Sequence, residues 1–115
     1  MQAPSLNPRL LQIMRTARIT NADRWPILAS LAKLTEEVGE TSEATLVELG
    51  FMRKDLKEGI TGEAADVIIC LLDILARVRS YQSPEELLTE LDAELHRKSL
   101  KWYEKGIFRG NPALA

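Results

Sequence analysis

The chain has a single cysteine, Cys70, and a single histidine, His96, so neither a disulfide within the chain nor a zinc site of Cys and His ligands can be built. Aromatics make up only 5% of the 115 residues. Basic residues do not exceed acidic ones: the net charge is −2, with a pI near 5.5. That balance argues against non-specific binding to DNA or RNA, which needs a basic surface. It leaves room for one nucleotide, because a bound cation can supply positive charge locally. No apolar run approaches the length of a membrane span, and Met1 to Pro8 lacks the apolar core of a signal peptide. The expectation is a cytoplasmic protein. Strand alternation, hairpin dipeptides, repeats and low-complexity stretches are absent as well.

What is present is helix. The length suits one domain, 1–115, small enough that self-association would help complete its core. Asn7-Pro8 reads as a cap followed by proline at the first helical position, opening a helix to about Ile19. Thr20 to Arg24 is a polar connection, which closes an N-terminal segment, 1–24. Trp25-Pro26 opens a second helix that Gly50 stops after Leu49. Phe51 to Gly59 reads as a loop or short helical turn, with Arg53, Lys54 and Lys57 as a solvated charge run ahead of the alternative that they close over phosphates. Thr61-Gly62 precedes a third helix, Glu63 to about Arg79. Ser83-Pro84-Glu85-Glu86 is a capping box that starts a fourth helix, which runs to about Lys105 before Gly106. The helical core is thus 25–105 and the tail 106–115, irregular or docked on a partner. The third helix is apolar nearly all round (Val67, Ile68, Ile69, Leu71, Leu72, Ile74, Leu75), which predicts a buried central helix. Cys70 lies in that run and reads as a buried apolar residue.

At about 100° per residue, Ile27, Leu28, Leu31, Leu34 and Val38 form an apolar stripe on the second helix. Glu36, Glu37, Glu40 and Glu43 fall on the opposite side. By itself such a face reads as solvated surface. Glu63 and Asp66, three residues apart on the third helix, change the reading. Glu63 suits a helix start, but Asp66 sits within an apolar run. A buried, unpaired carboxylate costs several kcal/mol, and neighbouring carboxylates add repulsion. A hard divalent cation resolves both, and Mg²⁺ prefers oxygen ligands. Asp73, two turns beyond Asp66, reads as a structural salt bridge. A di-iron bundle would need Glu-x-x-His on facing helices. His96 has Ala93 three residues before it, so it reads as a surface residue.

Glu36-Glu37-Val38-Gly39-Glu40 followed by Glu63-Ala64-Ala65-Asp66 is an E-E-x-x-E then E-x-x-D pattern, with twenty-two residues between its halves. Over roughly Trp25 to Lys105 the chain resembles the MazG-like family of all-α nucleoside triphosphate pyrophosphohydrolases. The resemblance implies a four-helix MazG-like bundle completed by a homodimer or homotetramer. It implies Mg²⁺-dependent cleavage of (d)NTP to (d)NMP and pyrophosphate, with Mn²⁺ as a substitute metal, in house-cleaning of the nucleotide pool. Carried over by position, Glu37, Glu40, Glu63 and Asp66 are the metal ligands, and Glu36 or Glu37 acts on the water. The family's Lys-aromatic pair on the last helix looks like Lys101-Trp102. On the inward stripe read from Leu87, Leu88, Leu91 and Leu95, Lys98, Lys101, Trp102 and Lys105 become the substrate-binding candidates. Two rival functions stand beside this one: a non-catalytic helical interaction module, and an enzyme like phosphoribosyl-ATP pyrophosphohydrolase.

Overall fold

The computed structural model describes residues 7–20 and 25–105. They form four helices: α1, Pro8–Thr20; α2, Ile27–Glu48; α3, Ile60–Val78; and α4, Pro84–Glu104. No strand occurs among the described residues. None of these helices is long and apolar enough to cross a membrane. The polar connection, from Asn21 on, and the tail beyond Lys105 lie outside the described residues.

Local chemistry sets most of the helix ends. The Asn7 side-chain oxygen accepts from the backbone N–H groups of Arg9 (2.9 Å) and Leu10 (3.2 Å). Ser83 Oγ accepts from the Glu86 N–H at 3.1 Å, and Pro84 takes the first turn of α4. At the end of α2, Gly50 stands at φ +82°, a left-handed conformation that a side chain resists. There the Gly50 N–H reaches the Val47 carbonyl and the Phe51 N–H reaches the Leu46 carbonyl, a Schellman stop. The helix α3 starts at Ile60, nearly a turn before Glu63. Phe51 to Gly59 contains no helix.

The helix α3 is the hub: α2 packs along it most extensively, and α1 and α4 cover another side. The core lies where α1 and α4 meet α3. Met14, Ala17, Leu72, Ala76 and Leu87 are buried there, flanked by Leu10, Ile13, Leu75 and Leu91. Arg18 fastens α1 across the end of α3, donating to the carbonyls of Ala76 (2.7 Å) and Arg79 (2.9 Å). An Arg15–Glu85 ion pair joins α1 to α4.

Three expectations need correction. The helix α3 is central but not sheathed: Ile68, Ile69 and Leu71 are exposed, because α1 and α4 cover mainly its C-terminal half. On α4 only Leu87 and Leu88 are buried, and Leu91 is partly so. Leu95 is exposed and the inward stripe ends before it. The third correction concerns α2, whose apolar stripe is not the face it buries. Its buried residues are Ser30, Glu37 and Ala44, one every two turns, facing α3. Its apolar residues Leu28, Leu31 and Val38 are exposed, Leu28 at 74%. Of the acids only Glu37 turns fully inward, with Glu43 half-buried and Glu36 and Glu40 exposed; of the stripe, Ile27 and Leu34 are half-buried while Leu28, Leu31 and Val38 face outward.

That outward stripe is regular. Leu28, Leu31, Thr35, Val38, Ser42, Thr45 and Leu49 follow one another at alternating steps of three and four. The three hydroxyls bond to carbonyls one turn back, Leu31, Val38 and Thr41, so the stripe carries no hungry donor. The radius of gyration is 17.0 Å. A compact domain of this length measures about 13 Å.

Candidate metal centre

The pairing of α2 with α3 is antiparallel and repeats every seven residues. Ser30 meets Asp73 on one rung, and seven residues along each helix Glu37 meets Asp66. The two rungs have opposite chemistry. On the first, Ser30 Oγ donates to Asp73 Oδ2 at 2.8 Å, and Arg77 Nε stands 3.4 Å from Asp73 Oδ1. Arg77 also donates to Ser30 Oγ at 2.8 Å and to the Trp25 carbonyl. The Asp73 charge is thus satisfied by protein groups, which makes it the structural salt bridge the sequence suggests.

The second rung holds carboxylates against carboxylates. One oxygen from each of Glu37, Glu63 and Asp66 lies within 4.8 Å of the other two. Glu36, Glu37 and Glu40 make a second such triplet, so Glu37 belongs to both. Glu37 is only 5% exposed. Its Oε1 pairs with Lys33 Nζ at 3.0 Å, while its Oε2 and the Oε2 of Glu63 are buried with no hydrogen-bond partner. Buried carboxylate oxygens almost always have a partner. Opposite oxygen ligands of Mg²⁺ stand about 4 Å apart, and those of Ca²⁺ nearly 5 Å. A hard divalent cation fits the spacing and the donor set.

The electrostatics carry the same mark. Glu40 is pushed up to about 7, chiefly by a hydrogen bond shared with Glu63, then by desolvation and the Glu37 charge. Lys33 is raised above its ordinary value, first by its bond to Glu37 and then by the Glu36 charge. One cation on the rim does not balance this many acids.

Two contributors escape a reading of the motif. Lys33 lies three and four residues before Glu36 and Glu37, and this spacing alone could have marked it. Glu58 is the less visible one. The Asp66 charge, more than burial or Glu63, raises its carboxyl. Its Oε2 would lie 3.0 Å from a Cβ at Gly62, so Gly62 keeps the space this side chain uses. With α3 expected to begin at Glu63, Glu58 falls a turn too early to be counted.

Beside the carboxylates opens a cleft of about 310 Å³. It is lined by Glu40, Glu43 and Glu63 of the two helices and by Lys54, Asp55, Leu56 and Lys57 of the α2–α3 loop. Lys54 Nζ is 2.6 Å from Glu43 Oε1. Lys54 and Lys57 are solvent-exposed, as a solvated run would be, and also line the cleft. Arg53 is exposed and does not line the cleft.

Within one chain the substrate-binding candidates of α4 are not brought to this site. Lys98, Lys101, Trp102 and Lys105 are exposed. The helix that carries them touches α1 and α3 but not α2. His96 is exposed, as expected, and Cys70 is half-buried rather than buried, with its thiol pushed up first by burial. No family model matches the chain, and no curated protein or solved structure matches it either.

Proposed function

We propose that this chain is a Mg²⁺-dependent nucleoside triphosphate pyrophosphohydrolase of the MazG-like kind, converting (d)NTP to (d)NMP and pyrophosphate in the cytoplasmic nucleotide pool. The observation that carries the reading is Glu37: a carboxylate 5% exposed, with one oxygen unpartnered, facing acids of a second helix. An acidic surface has no reason to bury such a group. A cation site does.

In this reading Glu37, Glu40, Glu63 and Asp66 hold the metal. Mg²⁺, when bound, polarises phosphoryl oxygens and neutralises charge that develops on them. Glu36 takes the role of base. It lies on the same side of α2 as Glu37 and Glu40, is more open than Glu37, and stands 3.6 Å from Lys33. Water gives Glu36 a proton as its oxygen bonds to phosphorus. The α–β P–O bond breaks, and its electron pair leaves with pyrophosphate. Lys33 positions Glu37 and Glu36 together.

Self-association completes the molecule. The outward stripe of α2 has the three-four spacing of a helix–helix seam, and a second copy packed on it gives its leucines a dry surface. The chain's radius of gyration, 17.0 Å, fits a protomer that is not compact alone.

Pyrophosphate release from a panel of NTPs and dNTPs tests the activity. Release is expected with Mg²⁺ and not with EDTA. Asp66→Ala and Glu40→Ala abolish it while keeping the helical circular dichroism. Full turnover by either variant, or no release from any nucleotide by the parent protein, overturns the assignment.

A further inference from the structure

We infer that the α2–α3 loop, through Lys54 and Lys57, forms the polyphosphate-binding wall of the site, in place of the lysines of α4. The inference rests on the metal reading above and adds the residues that grip the ligand's anionic part.

Three observations carry it. The first is placement. The Schellman stop at Gly50 turns the chain back beside α2, and Leu56 of the loop is half-buried, so the loop lines the same cleft as Glu40 and Glu63. That cleft, about 310 Å³, falls at the lower end of the volumes that small ligands occupy. The second is pairing. Lys54 is held by Glu43, one turn beyond Glu40 and outside both carboxylate triplets. Lys57 makes no ion pair among the described residues. These ammonium groups thus flank the acids without neutralising Glu37, Glu63 or Asp66. The third is the ligand's own chemistry. A polyphosphate that brings a divalent cation has one end for carboxylates, through the metal, and oxygens left over for ammonium donors. The cleft gathers the carboxylates of Glu40, Glu43 and Glu63 with two loop ammonium groups, Lys54 and Lys57, and the carboxylate of Asp55 between them; this mixed lining suits a ligand that carries both a cation and anionic oxygens better than a bare anion.

Binding of Mn²⁺ and of inorganic triphosphate, measured separately on the full chain, tests this. Free Mn²⁺ is followed by electron paramagnetic resonance. Triphosphate is then titrated calorimetrically into the Mn²⁺-loaded protein. A charge-assisted contact contributes roughly 1.5 kcal/mol or more, about tenfold in affinity. Lys54→Gln and Lys57→Gln should each weaken triphosphate about tenfold, and the double variant more, with Mn²⁺ affinity unchanged within about twofold. Lys98→Gln with Lys101→Gln removes the same charge from α4 and should leave triphosphate binding unaltered. Three results overturn the inference while the metal reading stands: an unaffected loop double variant, loss only in the α4 variant, or Mn²⁺ binding by the parent chain without triphosphate binding. No Mn²⁺ binding by the parent chain overturns both together.

Discussion

Replacing Glu37 by glutamine reverses the sign of an effect that most buried substitutions show. Glutamine has the same shape, so packing against α3 is kept. In the metal-free protein at about pH 8, Glu37 faces Glu63 and Asp66 with oxygens within 4.8 Å. At an effective dielectric of about 20, each ionised pair at that distance repels by about 3.5 kcal/mol. Lys33 is partly exposed, and its pairing returns about 1 kcal/mol or less. Glu37→Gln removes both repulsions, and its new N–H₂ group can donate to either neighbour. After relaxation and solvent screening, a gain of about 2 kcal/mol remains, which raises the melting midpoint by roughly 8 °C for a chain of this size. With Mg²⁺ at one hundred times its Kd the parent protein gains about 2.7 kcal/mol, or roughly 10 °C, and the variant gains almost nothing. Differential scanning calorimetry in EDTA and in Mg²⁺ gives the four midpoints. Two outcomes refute the reasoning: a variant that melts below the parent in EDTA, or one that keeps the parent's response to Mg²⁺.

Three further predictions follow from the same contacts. Glu40 is raised from its ordinary value to about 7, so the folded metal-free state holds a proton that the unfolded state releases. Metal-free stability should therefore fall as pH rises through that window, and the Mg²⁺-induced rise in melting midpoint should grow across it; a pH-independent Mg²⁺ response is the contrary result. Asp73→Ala removes the acceptor of Ser30 and the anion beside Arg77, so it should cost about 3 kcal/mol in urea unfolding while Mn²⁺ affinity stays at the parent value. Leu31→Glu with Val38→Glu places charges on the outward stripe of α2 and should shift sedimentation from an assembled species to a single chain, whereas a parent protein that sediments as a monomer rules the seam out.

Short-range chemistry made several elements legible in advance. Asn7-Pro8, Gly50 and Ser83-Pro84 each place a helix end through one or two backbone groups, and such signals need no tertiary partner. The carboxylate pattern was legible in the same way. Helical spacing alone puts Glu36, Glu37 and Glu40 together, and Glu63 near Asp66. The start of α3 was not, since Gly59 offers no side-chain cap to announce it. That hid Glu58.

Which way a helix faces is a different kind of question. The helix α2 has an apolar side and an acidic side, and amphipathicity alone predicts that the leucines go in. The fold turns Ser30, Glu37 and Ala44 toward α3 instead, because the small residues allow close approach and Ser30 finds Asp73 across the gap. The same seven-residue step then carries Glu37 onto Asp66. Helix type, the helix ends at Asn7, Gly50 and Ser83, and the grouping of acids within each helix were determined by the sequence itself, through contacts that span no more than two turns. The burial of Glu37, the meeting of Glu37 with Glu63 and Asp66, the gathering of loop lysines and helix carboxylates around one cleft, and the outward position of Leu28, Leu31 and Val38 were decided by tertiary structure. Those depend on what one helix presents to another, and the pattern along a single helix carries no such term.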